Sequence, residues 1–381
     1  MAKIKNDSSG IKLLQFNAKH KYTLGVEVEF QILDRSSWDL IPFAPRLLEE
    51  APSLLRPRLS PEFIQSILEI QTGICFSLTD VENDLMQTIS LADELAEANN
   101  CRLFSASLHP FARYREQLLT TNERYRRILD ELQIVGRRFI SQGFHVHVGL
   151  GDGDSAIRVC NQIQAYLPIL LALSASSPFF QGEDTGLMSY RTKLFEVLPL
   201  AGRYGFFANW RSFVEEVSRL VDIGIIDSIR DLWWDARPNA EYGTIEIRVC
   251  DLPIHFQDIL SITSLIQSLV ATLDLPPAED APLDPYIMQA NKWQAARHGL
   301  GGQFADPLAK LGEKRQPMIE AVKRLLNMVE PMSIRLGAAE YLAGIEQILQ
   351  RGVGSDFLRR SYQRSGSLAS VVEELHGEFW K

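Results

Sequence analysis

The chain has 381 residues, 46% of them hydrophobic and 23% charged, with a net charge of −9. That composition is ample for a sizeable soluble core. The acidic balance, with no Lys/Arg block, argues against nucleic acid as a partner, and an anionic ligand would need local cations or metal ions.

Residues 1–20 read as a ragged polar terminus, and MAKIKNDSSGIK lacks the apolar centre of a signal peptide. Residues 21–381 then read as one domain, since no linker or repeat divides them. YTLGVEVEFQIL alternates as a strand, Pro42–Pro61 reads as irregular, and SILEIQTGIC alternates again. Thr79-Asp80-Val81-Glu82 has a capping-box pattern and opens a helix with Val81, Leu85, Ile89, Ala92 and Leu95 on its apolar face. RLFSASLHP reads as a strand, 120–141 as a helix, and GFHVHVGLG as a strand, with Asp154 as the cap of the following helix. AYLPILLALSASSPFF is too short and broken to span a membrane. TIEIRVCD is the last strongly alternating strand, a proline-rich loop covers 276–285, and helices are expected near 257–273, 315–330 and 335–350. Strands and helices mix without a βαβ rhythm, so the fold class is α+β. Cys75, Cys101, Cys160 and Cys250 show no CxxC spacing and read as reduced packing thiols of a cytoplasmic protein.

The strand faces carry the chemistry. In an extended strand, residues i and i+2 share a face. Leu24, Val26, Val28 and Phe30 therefore point one way, and Glu27 and Glu29 the other, about 7 Å apart at ~3.3 Å per residue. By the same rule Glu69 opposes Leu68 and Ile70, His145 and His147 share a face, and so do Glu246 and Arg248. Glu62 joins this set only by its spacing from Glu69. Any one such strand alone reads as a solvated face of an antiparallel sheet. Together they place five Glu, two His and one Arg, and no Lys, on polar faces. Such a surface repels itself unless cations bridge it. Carboxylates with a single imidazole suit Mg²⁺ or Mn²⁺ better than zinc. That set matches metal–nucleotide chemistry, with Arg balancing a transferring phosphoryl group. There is no P-loop, no GxGxxG after a strand and no GxSxG elbow.

GVEVEF, LEIQTGIC, GFHVHVG, SASSPFFQGEDTGLMSYRTKLFEVLPLAG, WWDARPNAEYGTIEIRVCD and NKWQAARHGL, in that order, resemble the carboxylate–amine ligase family, the bacterial branch related to glutamate–cysteine ligase. The resemblance runs from about residue 22 to about 350. It implies a glutamine-synthetase-like fold, a curved, mostly antiparallel sheet flanked by helices, with the active site in the concave face. It implies an ATP-dependent ligase that joins a carboxylate, that of glutamate in the related enzymes, to an amine such as cysteine through an acyl phosphate.

Carried over by motif, Glu27, His145 and Glu246 look like one metal set, and Glu29, Glu62 and Glu69 like another. His147 would orient His145 or touch substrate. Arg248 looks like the phosphate clamp and Arg124 a second nucleotide contact, with a helix-surface salt bridge as its alternative. Arg191 and Arg237 would bind substrate carboxylates, with pairing to Asp184 or Asp235 as the competing reading. Trp233 and Trp234 read as core or pocket wall. The resemblance also suggests a homodimer. Two departures stand out: Val28 where the family often has an acid, and Gly73 where it often has Pro. Neither touches an expected ligand. The competing functions are a metal-dependent hydrolase or phosphotransferase on the same acids, and a nucleotide-binding protein without turnover.

Overall fold

The alternation in LGVEVEFQILD makes β1 (Leu24–Asp34), the strand on which the main sheet is built. Leu24, Val26, Val28, Phe30 and Ile32 are buried on its apolar side. In this computed structural model, which describes residues 14–202, 204–275 and 282–381, β1 pairs on one side with β3 (Ile67–Gln71) and on the other with β5 (Phe144–Gly149). Its last residues pair with β4 (Cys101–Phe104). β2 (Leu59–Pro61) extends the β3 edge; β9 (Thr244–Ile247) and then β8 (Ala236–Asn239) extend the β5 edge. The order is β2-β3-β1-β5-β9-β8, and every one of these pairings is antiparallel. Two short ribbons, β6 (Phe179–Phe180) with β7 (Glu183–Asp184) and β10 (Gln303–Ala305) with β11 (Arg315–Pro317), lie outside the sheet.

Helices cover the apolar side. Leu78–Ala98 buries Val81, Leu85, Ile89 and Ala92, as its spacing predicts. Its box is Ser77 with Asp80 rather than a box begun at Thr79: Ser77 Oγ accepts the Asp80 N–H at 3.1 Å, and Asp80 accepts the Ser77 N–H at 3.0 Å. Phe256–Leu273 is 18 residues long and apolar enough to cross a membrane by length and composition, but it is buried almost throughout and is the core helix. Met318–Arg335 and Ala339–Arg351 pack against it. All four cysteines are free and buried, as packing residues are.

Several local expectations shift. The 42–61 stretch is not wholly irregular: Ala44–Glu50 is helical, with Pro45 in its first turn where no N–H is needed. The strand expected in RLFSASLHP ends at Phe104. The 120–141 helix is two pieces, Glu123–Leu132 and Ile134–Arg137, broken at Gln133 with φ 49°. Asp152, not Asp154, caps Gly153–Ile163; Asp154 instead accepts the Trp210 N–H at 2.8 Å. That helix then turns by 67° into Leu167–Ser174, whose first turn holds Pro168. Residues 315–317 are strand, not helix. Of the expected polar terminus and proline-rich loop, residues 1–13 and 276–281 lie outside the described residues.

Candidate active site

The register assembles the polar face in rows. Glu29 sits opposite Glu69, which sits opposite Ser60. Glu27 sits between Gln71 and His145. His147 sits opposite Glu246, which sits opposite Arg237. Strands that carry these residues far apart in sequence thus bring them together because neighbouring strands lie only ~5 Å apart.

The rows are tied by hydrogen bonds. His145 Nδ1 lies 3.1 Å from Glu27 Oε2, and His147 Nε2 lies 3.3 Å from Glu27 Oε1. His147 Nδ1 is 3.0 Å from Thr244 Oγ1, which fixes its ring from behind. Arg237 donates to both oxygens of Glu246, at 2.9 and 3.3 Å, and Arg248 pairs with the same carboxylate. Arg237 also donates to the Leu232 carbonyl at 3.1 Å, so its fork is held rigidly. Glu29 accepts the backbone N–H of Gly143 at 2.6 Å.

Burial would raise every carboxyl here, and the neighbours decide the sign. For Glu27, hydrogen bonds to His145 and His147 outweigh burial and hold it well below the usual carboxylate range. For Glu246, Arg237 and Arg248 do the same. Among the described residues Glu62 has no cation beside it: burial and the charge of Glu29 outweigh the N–H it accepts from Phe63 and push it up to about 8. Burial and the charges of Glu27, Glu62 and Glu29 also push Glu69 well up. Burial and Arg248 lower His145, whereas Glu27 and Glu246 outweigh burial and raise His147. One half of the face is therefore internally neutralised, and the other half is short of positive charge.

These residues line a cavity of about 400 Å³. Ligand atoms of Glu27, His145 and Glu246 all lie within 4.8 Å of one another, and so do those of Glu29, Glu62 and Glu69. These are the two sets read from the sequence. The residues fit metal ions on two counts. The donors are hard oxygens with one imidazole. His145 Nε2 is buried without a hydrogen-bond partner among the described residues and faces Glu29 Oε1 at 3.9 Å.

The other expected residues divide. Arg124, Arg237, Arg248 and Trp233 line the cavity; Trp234 packs in the core, edge-on to Tyr204. Arg124 also makes the surface pair expected as its alternative, with Asp231 at 3.5 Å. Arg191 is not brought to this cavity. It is 3% exposed, stacks its guanidinium 4.5 Å from the Phe195 ring and approaches Asp251 at 4.0 Å. The alternative partners fail as well, because Asp184 pairs with Arg359 and Asp235 with Lys292. Sequence reasoning missed Ser60, Tyr125, Ser141, Asn239 and Tyr242 in the lining. Asn239 and Tyr242 flank the alternating strand in WWDARPNAEYGTIEIRVCD and carried a signal; the isolated Ser141 carried none.

The model of "Glutamate-cysteine ligase family 2 (GCS2)" matches residues 23–374. The chain belongs to this family. The ligase is 41% identical to a "Putative glutamate--cysteine ligase 2" of Gloeobacter violaceus, over 95% of this chain and 98% of that one. It is 38% identical to a "Putative glutamate--cysteine ligase 2-1" of Rubrobacter xylanophilus, over 93% and 94%. A glutamate–cysteine ligase of Francisella tularensis, solved in complex with AMP, superposes with a TM-score of 0.71 at 14% identity, covering 96% of the ligase and 90% of that chain. At such identity the likeness is one of fold, and it bears out the expected α+β, glutamine-synthetase-like class. Membership makes the protein an ATP-dependent carboxylate–amine ligase, the enzyme class expected from the sequence.

Proposed function

We propose that this ligase joins the γ-carboxylate of glutamate to an amine through an acyl phosphate, releasing ADP and phosphate, with cysteine the first amine to test. The observation that carries the reading is the pair of adjacent ligand sets, Glu27/His145/Glu246 and Glu29/Glu62/Glu69, beside Arg248. Mg²⁺ or Mn²⁺ bound there would neutralise phosphate oxygens. The Francisella protein's complex with AMP supports a nucleotide site in this fold.

In this reading the chain's own residues divide the work. Arg237 holds Glu246 by a two-point fork, so that Arg248 retains donors to turn toward a transferring phosphoryl group. Arg124 at the cavity edge contacts the nucleotide. His147, fixed by Thr244, keeps Glu27 ionised and oriented. The glutamate carboxylate attacks the γ-phosphorus in line and ADP leaves. The amine then attacks the acyl carbon, and phosphate leaves with the C–O bonding pair. Aromatic lining from Phe63, Tyr125 and Phe139 keeps water from that acyl phosphate. A homodimer in the cytoplasm belongs to the same reading, on the family resemblance and the reduced cysteines.

The test is ADP release from Mg–ATP with glutamate and a panel of amines, with masses measured on the products. A product equal to acid plus amine minus water establishes the reading. ADP release indifferent to every amine replaces it with hydrolysis, and bound ATP without turnover replaces it with a nucleotide-binding role.

A further inference from the structure

The cavity has a fixed floor and a lightly held roof. The floor is the sheet. The roof is the helix Glu123–Leu132, which lines the cavity with Arg124, Tyr125, Ile128 and Leu132. At ~100° per residue those four positions share one side of the helix. None of its residues is buried. A helix this short is marginal in water unless its apolar face packs on a core. This face looks onto the cavity instead, and Glu123, Arg126 and Asp130 on the opposite side are exposed. Tyr125 meets Phe63 edge-on at 5.4 Å. The helix ends at Gln133, whose φ of 49° is a left-handed value that glutamine seldom adopts. Element-terminal residues of this kind serve as hinges.

A row of ion pairs holds the roof down along the rim. Arg127 pairs with Asp227, and Arg124 with Asp231 at 3.5 Å; Arg124 also donates to the Arg230 carbonyl at 3.1 Å. Arg230 continues the row to Glu241 at 3.4 Å. The turn that receives these pairs is itself well fixed. Asp231 accepts the N–H groups of Asp227 and Ser228 at 3.0 and 3.2 Å. Arg237 donates to the Leu232 and Ile229 carbonyls at 3.1 and 3.4 Å while it forks Glu246. One guanidinium therefore steadies both the turn and a carboxylate of the first ligand set. The catch belongs to the sheet, and the helix is the part that can move. Few buried contacts on a segment mean a low free energy of local opening.

We propose that the helix Glu123–Leu132 is a lid on the active site, latched by Arg124 and Arg127 to the turn 227–231, and that its opening sets the rate at which nucleotide leaves. This rests on the ligase reading above, which makes the nucleotide the cavity's ligand. Arg124 has donors for a phosphate as well as for Asp231, so a bound nucleotide adds a contact to the closed lid. Closing and binding then strengthen each other. Closure also keeps Tyr125 over the reacting groups and water away from them. Arg127 and Asp227 are 53% and 59% exposed. A pair so exposed shifts the lid's equilibrium by no more than about fivefold, a latch weak enough to open in each cycle.

The experiment measures hydrogen exchange of the backbone amides of 127–132 and of the helix Leu78–Ala98, with and without Mg–ADP, beside the dissociation rate of Mg–ADP. It is run on the wild type, Arg127→Gln, Asp227→Asn and the double variant. The expected result is exchange at least a hundredfold faster in 127–132 than in the middle of Leu78–Ala98, slowed at least tenfold by Mg–ADP. In the Mg–ADP complex, Arg127→Gln is expected to speed both the exchange of 127–132 and the release of Mg–ADP by one common factor, about two- to fivefold. Leu78–Ala98 is expected to be unchanged, and the double variant to go little beyond either single one, because the two residues act as a pair. Mg–ADP bound with 127–132 as protected as Leu78–Ala98 in the free protein overturns the lid and leaves the ligase reading standing. So does exchange in 127–132 that neither Mg–ADP nor Arg127→Gln moves. Faster exchange in Arg127→Gln without faster release overturns the gate as well, and makes the helix a mobile edge. No binding of Mg–ADP overturns both the lid and the ligase reading.

Discussion

Glu29 and Glu69 face each other directly across the antiparallel ladder of β1 and β3. Like charges at opposed positions destabilise a sheet, and Glu62 adds a third acid within ligand distance. Among the described residues no Lys or Arg pairs with any of the three; the imidazole of His145 lies 3.9 Å from Glu29, and burial and Arg248 hold it below its usual pKa, toward the neutral form. Burial and this crowding push the carboxyls of Glu62 and Glu69 up, so that they hold protons, and a divalent cation would relieve the crowding by taking the place of those protons. Mg²⁺ or Mn²⁺ is expected to raise the Tm by several degrees, and EDTA to reverse it, because a ligand bound only by the folded state stabilises it by mass action. Glu69→Gln is expected to stabilise the metal-free protein by about 0.2–1 kcal/mol and to abolish most of the metal-induced shift. Thermal unfolding with and without metal checks both. An identical Tm in Mg²⁺, Mn²⁺ and EDTA would remove the case for a metal on these three acids.

Glu246 poses the opposite problem. It is 2% exposed and shared by two guanidiniums. Glu246→Gln strands both, and breaking a buried pair by removing one partner costs about 3–5 kcal/mol. The variant is expected to lose turnover and also to unfold at markedly lower denaturant. Arg248→Lys keeps the charge and loses the planar fork. Its turnover is expected to fall at least 10-fold, against ~10²–10³ for losing a whole charge-stabilising donor, with ATP affinity changed only a few-fold. Calorimetric ATP binding beside steady-state kinetics separates the two effects. An Arg248→Lys enzyme with full turnover would show that Arg248 does not serve the transferring group.

The period of a strand is why this site could be read in advance. With a two-residue period, Glu27, Glu29, His145, His147 and Glu246 were bound to lie on polar faces once their apolar neighbours were buried. Their grouping into two sets came from motif resemblance, and the register explains it: Glu27 opposite His145, Glu29 opposite Glu69. What alternation cannot carry is non-local context off the strands. Arg191 sits at the start of the helix Arg191–Glu196, and its burial against Phe195 and Asp251 depends on contacts across 60 residues of chain. Ser141 lies in a short bridge to Leu108, where no periodicity marks a lining position. SLTD offers two capping oxygens two residues apart, at Ser77 and Thr79, and only the entering backbone, extended at Ser77, selects between them.

Two groups away from the site, the half-buried Asp93 and the buried His109, give opposing pH dependences. Asp93, in the helix Leu78–Ala98, is pushed up to about 7 by burial, against a hydrogen bond with Trp380. Its folded form keeps a proton that the unfolded chain has lost, so this contribution falls as pH rises from about 4 to about 7. His109 is lowered to about 4 by burial. It stays neutral, with Nε2–H donating to the Trp38 carbonyl at 2.8 Å and Nδ1 accepting the Ala112 N–H at 3.0 Å. Its contribution is full above the unfolded pKa and is lost as pH falls from about 6.5 to about 4. The two slopes, each up to ~1.4 kcal/mol per pH unit, oppose each other over much of that window. Asp93→Asn is expected to unmask the histidine, giving stability that climbs more steeply from pH 4.5 to 6.5 than in the wild type. Denaturant unfolding across that range checks the sign; a flatter profile in Asp93→Asn would contradict it.

Gly143 and Gly25 offer a paired steric test of the site. Both flank the polar face, but a methyl group at Gly143 would lie 2.7 Å from His145 Nε2 and 2.7 Å from an Arg191 guanidinium nitrogen. No real Cβ sits that close, so His145 or Arg191 must move. Gly143 also gives its N–H to Glu29, so the shift would reach both ligand sets. At Gly25 the same methyl would meet His147 Cβ at 3.5 Å, an ordinary contact. Overpacking a tight site costs about 1–3 kcal/mol, which a protein of this size survives. Gly143→Ala is therefore expected to stay folded while losing at least 100-fold in turnover and most of its metal-induced stabilisation. Gly25→Ala is expected to keep both within a few-fold. The comparison is read from turnover and from Tm with and without Mg²⁺ on the same preparations. Equal activity in the two variants would mean that the position of His145 Nε2 does not matter to the reaction.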